Sequence, residues 1–318
     1  MPADSLTEWL LAADPAIRWQ TLRHLRHPFQ NERRRVPTEG WGARLLALQD
    51  EAGNWGGGIY TPKWTSTTYT LLLLRDMGLP RGHRHALRAC RLLLDAGFWR
   101  DGGINFYPRT ATHSETCITA MVLAIAAWFG LEDERLDTLA GHLRATQMRD
   151  GGWNCRATPG NGGATHSSFH TTISALEALR EWGGPRACAP GERFLLLHRL
   201  FRSHRTGEIA KPDFTRFHFP ARWHYDALRG LDYFRAAGYP RDSRLQDAID
   251  LLQSRRQPDG TWLLAKSYPG KVFFELETAG RPSRWNTLRA LRVLKWWSPQ
   301  NHDPCRSENQ LTDSEIHV

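Results

Sequence analysis

The chain lacks most of the features that assign a chemistry at sight. Five cysteines stand among 318 residues, at 90, 117, 155, 188 and 305. That odd number, with no Cys-x-x-Cys, argues against a disulfide framework and points to a reducing, cytoplasmic setting. No apolar run reaches the length that spans a bilayer. Met1-Pro2-Ala3-Asp4-Ser5 has no basic region leading into an apolar core, so no export signal is read. P-loop, dinucleotide and nucleophile-elbow motifs are missing. Acidic residues are in deficit, 33 against 42 Lys and Arg, for a formal charge of +9. Such a balance favours anionic ligands and permits peripheral membrane contact. Nucleic acid is not expected, because runs such as Arg33-Arg34-Arg35 lack the interleaved aromatic platform of single-strand binders.

What the chain does have is a repeat. Gln49-Asp50-Glu51-Ala52-Gly53-Asn54-Trp55 and Gln147-Met148-Arg149-Asp150-Gly151-Gly152-Trp153 share Gln-x3-Gly-x-Trp, and Gly260-Thr261-Trp262 keeps the second half. Weaker copies end at Ile104 and Ile209, so the anchors fall about 50 residues apart, a helical-hairpin period. Amphipathic helices precede the copies near 41–50, 83–96, 134–147, 188–201 and 243–255. More apolar helices follow near 64–76, 113–128, 166–181, 222–236 and 283–297. A sixth hairpin occupies the first 23 or so residues, and six hairpins are enough to close a ring. The prediction is an all-α chain, a single (α/α)6 toroid over 1–297 with a disordered tail over 298–318. Connections out of the apolar helices are short, whereas those into them are long and hold most histidines. The long-loop end, where the apolar helices present their N-termini, is therefore the expected functional mouth.

Two of those helix starts carry candidate ligands. Thr112-His113-Ser114-Glu115-Thr116-Cys117 places a carboxyl and a thiol two residues apart, and Phe169-His170-Thr171-Thr172 adds an imidazole. Side by side, Glu115, Cys117 and His170 would form a three-ligand Zn²⁺ site with one open position. A helix N-terminus lowers a thiol pKa and so assists ligation. His224, at the start of the next apolar helix, is the alternative or fourth ligand. The competing reading makes Cys117 a small buried hydrophobe and Glu115 a first-turn acid. Asp226 is a candidate general acid or base if buried in an apolar ring, or else the partner of an arginine such as Arg222 or Arg229.

Aromatic residues are plentiful, with 14 Trp, 13 Phe and 7 Tyr. Trp64, Tyr69, Phe169, Trp223, Tyr225 and Trp285 stand near apolar-helix starts, where π-faces would line a cavity and stabilise positive charge. Trp55, Trp153 and Trp262 read instead as ties between helices.

The Gln-x3-Gly-x-Trp copies resemble the QW motif of squalene-type cyclases, and the arrangement looks like the α/α-toroid of terpenoid cyclases and protein prenyltransferase β-subunits. This resemblance covers residues 5 to about 297. Glu115-Thr116-Cys117 is similar to the prenyltransferase Asp-x-Cys, and Phe169-His170-Thr171-Thr172 to its zinc-histidine segment. Arg109 takes the place of an arginine that helps hold the prenyl diphosphate. Thr112 and Ile118 stand where that family has a diphosphate-binding Lys and Tyr, and neither Asp-x-Asp-Asp nor DDxxD occurs. The resemblance implies an enzyme acting on an isoprenoid or other lipophilic substrate, zinc-assisted, with Arg109, Arg222 and Arg284 toward an anionic head group. Two rival classes remain: a carbohydrate-active (α/α)6 barrel using Glu115 and Asp226 as its carboxylate pair, and a non-catalytic toroid that binds a lipid or a partner.

Overall fold

The computed structural model describes residues 3–155, 163–184 and 189–298. Two helices open the chain, α1 (Ala3–Leu11) and α2 (Pro15–His24), followed by a short α3 (Gln30–Arg34) that sequence periodicity did not signal. Pairs then alternate: α4 (Gly40–Leu46) with α5 (Thr67–Met77), α6 (Arg84–Gly97) with α7 (Thr116–Phe129), and α8 (Arg135–Ala145) with α9 (Phe169–Gly183). The last two pairs are α10 (Ala189–Leu197) with α11 (Ala227–Ala236), and α12 (Gln246–Ser254) with α13 (Arg284–Trp297). A two-residue ribbon, β1 (Trp262–Leu263) against β2 (Pro282–Ser283), leads into α13.

The second helices form the inner ring. α5 packs on α7, α7 on α9, α9 on α11, α11 on α13 and α13 on α2. Side chains join α2 to α5: the Trp19 indole donates to the Met77 carbonyl at 2.8 Å, and Gln20 to the Asp76 carbonyl at 3.1 Å. The toroid is thereby closed with six inner helices, as the repeat predicted. Composition explains which helix lies inside. α7 is apolar all round and buries twelve of its residues, so it must be covered on every side. α6 shows a buried stripe, Ala86, Ala89, Cys90, Leu93 and Leu94, and lies outside.

The repeat tryptophans fix each hairpin by the same two bonds. The indoles of Trp55, Trp153 and Trp262 donate to Leu45, Leu143 and Leu252, each ten residues back, at 2.6–2.7 Å. Their backbone N–H groups donate to the hydroxyls of Thr67, Thr172 and Thr287 on the inner helices at 3.0–3.1 Å. Ile104 repeats the second bond, donating to Thr119 at 2.9 Å. These tryptophans are ties, not cavity walls.

The long-loop end is not the open end. Trp64 donates its backbone N–H to Lys271 and its indole to Pro269, at 3.1 and 2.9 Å, which binds the loop ahead of β2 across the ring. Tyr268 from that loop stacks on His224 at 3.4 Å. The apolar side chains carried by the long loops pack on one another and leave a cavity of only about 50 Å³ between Trp64 and Phe274. A cavity of about 560 Å³ lies instead toward the C-termini of the inner helices. The expected tail over 298–318 falls, apart from Ser298, outside the described residues, as do Cys188 and Cys305.

A candidate thiol and carboxylate site at the start of α7

Helix α7 begins where the loop from α6 is pinned. The backbone N–H groups of Gly103 and Ser114 donate to the Asp101 carboxylate, and Glu115 donates its N–H to the Ile104 carbonyl at 3.0 Å. Glu115 stands at the N-cap of α7 without using its side chain as a cap. Its carboxyl is therefore available to the neighbourhood, and Cys117 follows in the first turn.

The neighbour is Cys155, which follows the repeat residue Trp153 by two positions. Among the described residues, one group has the ligand atoms of three metal-binding side chains within 4.8 Å of each other: Glu115, Cys117 and Cys155, all half-buried. The Cys117 backbone N–H donates to Cys155 Sγ at 3.2 Å, and Thr171 Oγ1 lies 3.7 Å from the same sulfur. Burial raises the Glu115 carboxyl, which Lys63 partly offsets. The hydrogen bond it makes to Cys155, together with burial, pushes the Cys117 thiol well up. That same bond, with the Cys117 amide and Thr171, lowers Cys155 despite its burial. Within the pair, ionisation is thus favoured at Cys155 over Cys117.

His170 does not join them. Its Nδ1 accepts the Tyr225 backbone N–H at 2.9 Å, fixing the chain ahead of α11, and its ring meets Phe214, Trp223 and His224. Burial, then Lys211 and Arg229, depress its pKa to about 4. His224 lies between Trp223 and Tyr268 in a stack and is held neutral, with a pKa depressed to about 3 by burial and nearby cations. The grouping expected from the sequence is thereby corrected: the third side chain beside Glu115 and Cys117 is a cysteine from the loop before α9.

The aromatic expectation divides in the same way. Tyr69 and Tyr60 share a 2.8 Å hydroxyl bond, and Tyr60 packs with Phe106 and Tyr107. Cys117 helps to raise all three tyrosine hydroxyls, so these rings border the thiols. Trp64 meets Tyr69 edge-on at 4.8 Å, and the Arg222 guanidinium lies 4.0 Å above it. Phe169 and Tyr225 belong to the repeat's packing, Phe169 against Phe194 and Phe214, and Tyr225 with its hydroxyl on the Leu200 carbonyl. Trp285 stacks on Phe219 at 4.0 Å, whereas Trp223 is held in the His224 stack.

Three charged expectations change. Asp226 is 1% exposed and caps α11, accepting the backbone N–H groups of Arg229 and His218. Burial would raise it, but the His218 hydrogen bond and Arg289 outweigh that and hold the carboxyl below its usual range. A buried, ionised cap is no proton reservoir, and it forms no carboxylate pair with Glu115 across an open groove. Arg109 is exposed on the loop before α7. Arg284 reaches outward, its guanidinium over the Trp9 ring and bonded to the Trp9 carbonyl, so neither arginine faces the cavity.

No family model matches this chain, and no curated protein does. Among solved structures it is similar to the type II terpene cyclase MstE from Scytonema, with 17% identity over 88% of this chain and 86% of that one, at a TM-score of 0.45. A substituted form of MstE in complex with geranylgeranyl dihydroxybenzoate gives 19% identity over 89% and 86%, also at 0.45. Another, in complex with merosterolic acid A, gives 14% over 86% and 97%, at 0.34. No helix among the described residues is long and apolar enough to cross a membrane.

Proposed function

We propose that this chain is a zinc-assisted enzyme of the terpenoid cyclase and prenyltransferase kind, acting on a lipophilic, isoprenoid-like substrate. The observation that carries the reading is the convergence of Glu115, Cys117 and Cys155 within 4.8 Å at one inner-helix start. Two sulfurs and a carboxylate oxygen are a donor set that suits Zn²⁺, and three protein ligands leave a position for a reacting group. Zinc would supply Lewis acidity and lower the pKa of a bound thiol or water.

The chain's own groups have definable parts in that chemistry. Cys155 is already drawn toward the thiolate by the Cys117 amide and Thr171. Glu115, raised by burial, gains from any added positive charge beside it. Tyr60, Phe106 and Tyr107 provide a ring-lined border to the sulfurs, which favours an apolar substrate and excludes water from part of the site. The sugar-cleaving alternative needs two carboxylates facing an open groove, which Asp226 at 1% exposure does not offer.

The test is elemental analysis of the purified protein beside Cys117→Ala and Cys155→Ala, with tyrosine and tryptophan fluorescence followed as farnesol is added. The reading expects about one zinc per chain, lost in both variants, and saturable quenching by farnesol. Folded protein without zinc would end the metal part. Farnesol without effect would end the isoprenoid part and leave a non-lipid role for the ring.

A further inference from the structure

Cys117 and Cys155 both stand as thiols, and their sulfurs lie within 4.8 Å of one another. They come from different elements, the first turn of α7 and the connection between α8 and α9, 38 residues apart in sequence. Two contacts hold the second sulfur against the start of α7. The Cys117 backbone N–H donates to Cys155 Sγ at 3.2 Å, and Thr171 Oγ1 lies 3.7 Å from the same atom. Glu115 is the third side chain of the group, so sulfur supplies two of its three donors.

That arrangement is close to what a disulfide needs. Bridged sulfurs stand about 2.05 Å apart, on main chains already near each other. From 4.8 Å or less the two sulfurs must close by under about 3 Å. A change of staggered rotamer about Cα–Cβ in one or both side chains supplies a movement of that scale. The main chains need little adjustment, because the Cys155 sulfur already touches the Cys117 amide. Cys155 also lies in a connection rather than in α8 or α9, so its side chain can turn without breaking a helical hydrogen bond.

Access decides which oxidant can act. Both thiols are half-buried, and hydrogen peroxide is small enough to reach such a site. Cys90 is fully buried on α6 and closed to it. In a reducing compartment two neighbouring thiols stay reduced until an oxidant appears, and bridges formed there are transient. A second sulfur within reach also captures the first oxidation product before it goes on to an irreversible acid.

We propose that Cys117 and Cys155 are a peroxide-responsive dithiol, whose closure to a disulfide regulates the site at the start of α7. The release of metal that follows rests on the zinc reading above, whereas the bond itself does not. One sulfur, as thiolate, attacks a peroxide oxygen: an S–O bond forms, the O–O bond breaks, and the departing hydroxide takes a proton to become water. The second sulfur then attacks the sulfenic sulfur: the S–S bond forms, the S–O bond breaks, and the hydroxyl leaves with a proton as a second water. Two thiolates, one peroxide and two protons thus give one disulfide and two waters. The sulfurs together lose two electrons, and the peroxide gains them. Zinc would lose two of its three protein ligands in that step, keeping only Glu115, too few to hold it. A dithiol reductant breaks the bond and restores both donors.

Mass mapping tests the proposal. The purified protein, and a portion stripped of metal by chelator, are treated with a small excess of hydrogen peroxide and digested without reductant. Both should yield a peptide pair joining Cys117 to Cys155, lighter by two hydrogens and split by dithiothreitol, while Cys90 stays reduced as a check that the fold is intact. From the purified protein about one zinc per chain, read with a colorimetric chelator, should be released as the pair forms and rebind after reduction. Cys117→Ser and Cys155→Ser should each abolish the pair and carry the remaining thiol on to sulfenic or sulfinic acid. The pair formed in a preparation that never held zinc would uphold the dithiol while the zinc reading fell. About one zinc per chain with no pair under peroxide would overturn the dithiol and leave the zinc reading standing. Sulfinic or sulfonic acid at both positions of the parent protein, or bridges to Cys188 or Cys305 instead, would also overturn it.

Discussion

The backbone N–H of Cys117 reaches the sulfur of Cys155 at 3.2 Å, across 38 residues of sequence. The bond ties the first turn of α7 to the loop before α9 and singles out one sulfur of the pair. A thiolate at Cys155 receives an amide, the Cys117 thiol and the Thr171 hydroxyl, all near the positive end of a helix. Cys117 has the Ile118 amide, but its bond to Cys155 and its burial outweigh that, and Glu115 opposes ionisation of both sulfurs.

Alkylation should therefore follow a fixed order in protein stripped of metal by chelator. Cys155 reacts first with iodoacetamide near neutral pH, Cys117 later, and Cys90, fully buried and pushed up to about 12, only on unfolding. Peptide mass mapping over time reads the order. If Cys117 reacts before Cys155, the assignment of the proton within the pair is wrong.

A histidine substitution separates structure from ligation. His170 accepts the Tyr225 amide, so His170→Ala leaves that N–H without its acceptor and costs about 1–3 kcal/mol. The variant should unfold at lower urea while keeping the zinc content of the parent protein. Loss of zinc together with retained stability would restore His170 as a ligand and unseat Cys155.

The contrast between those two residues shows what the sequence could reveal. The ring was legible because three near-identical Gly-x-Trp segments demand near-identical surroundings, and each tryptophan does make the same two bonds. Glu115 and Cys117 were legible because a two-residue spacing at a helix start is local. Cys155 was hidden, since its partner in space lies 38 residues away and no repeat element marks it. Asp226 misled for a related reason: an Asp just ahead of an apolar helix signals a cap as readily as an acid, and only burial and partners separate the two. The arginine-rich lining of the cavity at the C-terminal ends of the inner helices was invisible because its helical arginines stand on five separate helices, α2, α5, α9, α11 and α13. Each looks like an ordinary C-terminal charge until the ring brings them together.

The repeated tryptophan tie makes a stability prediction. Trp153→Phe keeps most of the apolar body but leaves the Leu143 carbonyl without the indole donor at 2.6 Å, for a loss of about 1–2 kcal/mol. Trp153→Ala adds a cavity in a fully packed position and should cost about 3–5 kcal/mol. Urea midpoints measure both, and near-equal losses for the two variants would mean that the hydrogen bond, not the packing, dominates.

Acid should weaken the fold before the carboxylates titrate. His24 and His170 are held neutral, with folded pKa values near 4 against 6.5 for the free side chain. A histidine whose folded pKa is depressed binds its proton more readily in the unfolded chain. Its contribution is thus complete above about pH 6.5 and is lost as pH falls through about 4. Glu177, lowered to about 2 by Arg229 and Arg75 despite burial, acts in the same direction but between its ordinary 4.5 and 2. Buried carboxyls with raised values, such as Glu192 and Glu277, run the other way, because their protonation favours the folded state. A single replacement isolates the histidine part. Between pH 6.5 and 4, His24→Asn should lower the slope of unfolding free energy against pH by about one proton, with little change above pH 7. An unchanged slope would mean that His24 carries its proton in the folded protein despite its burial.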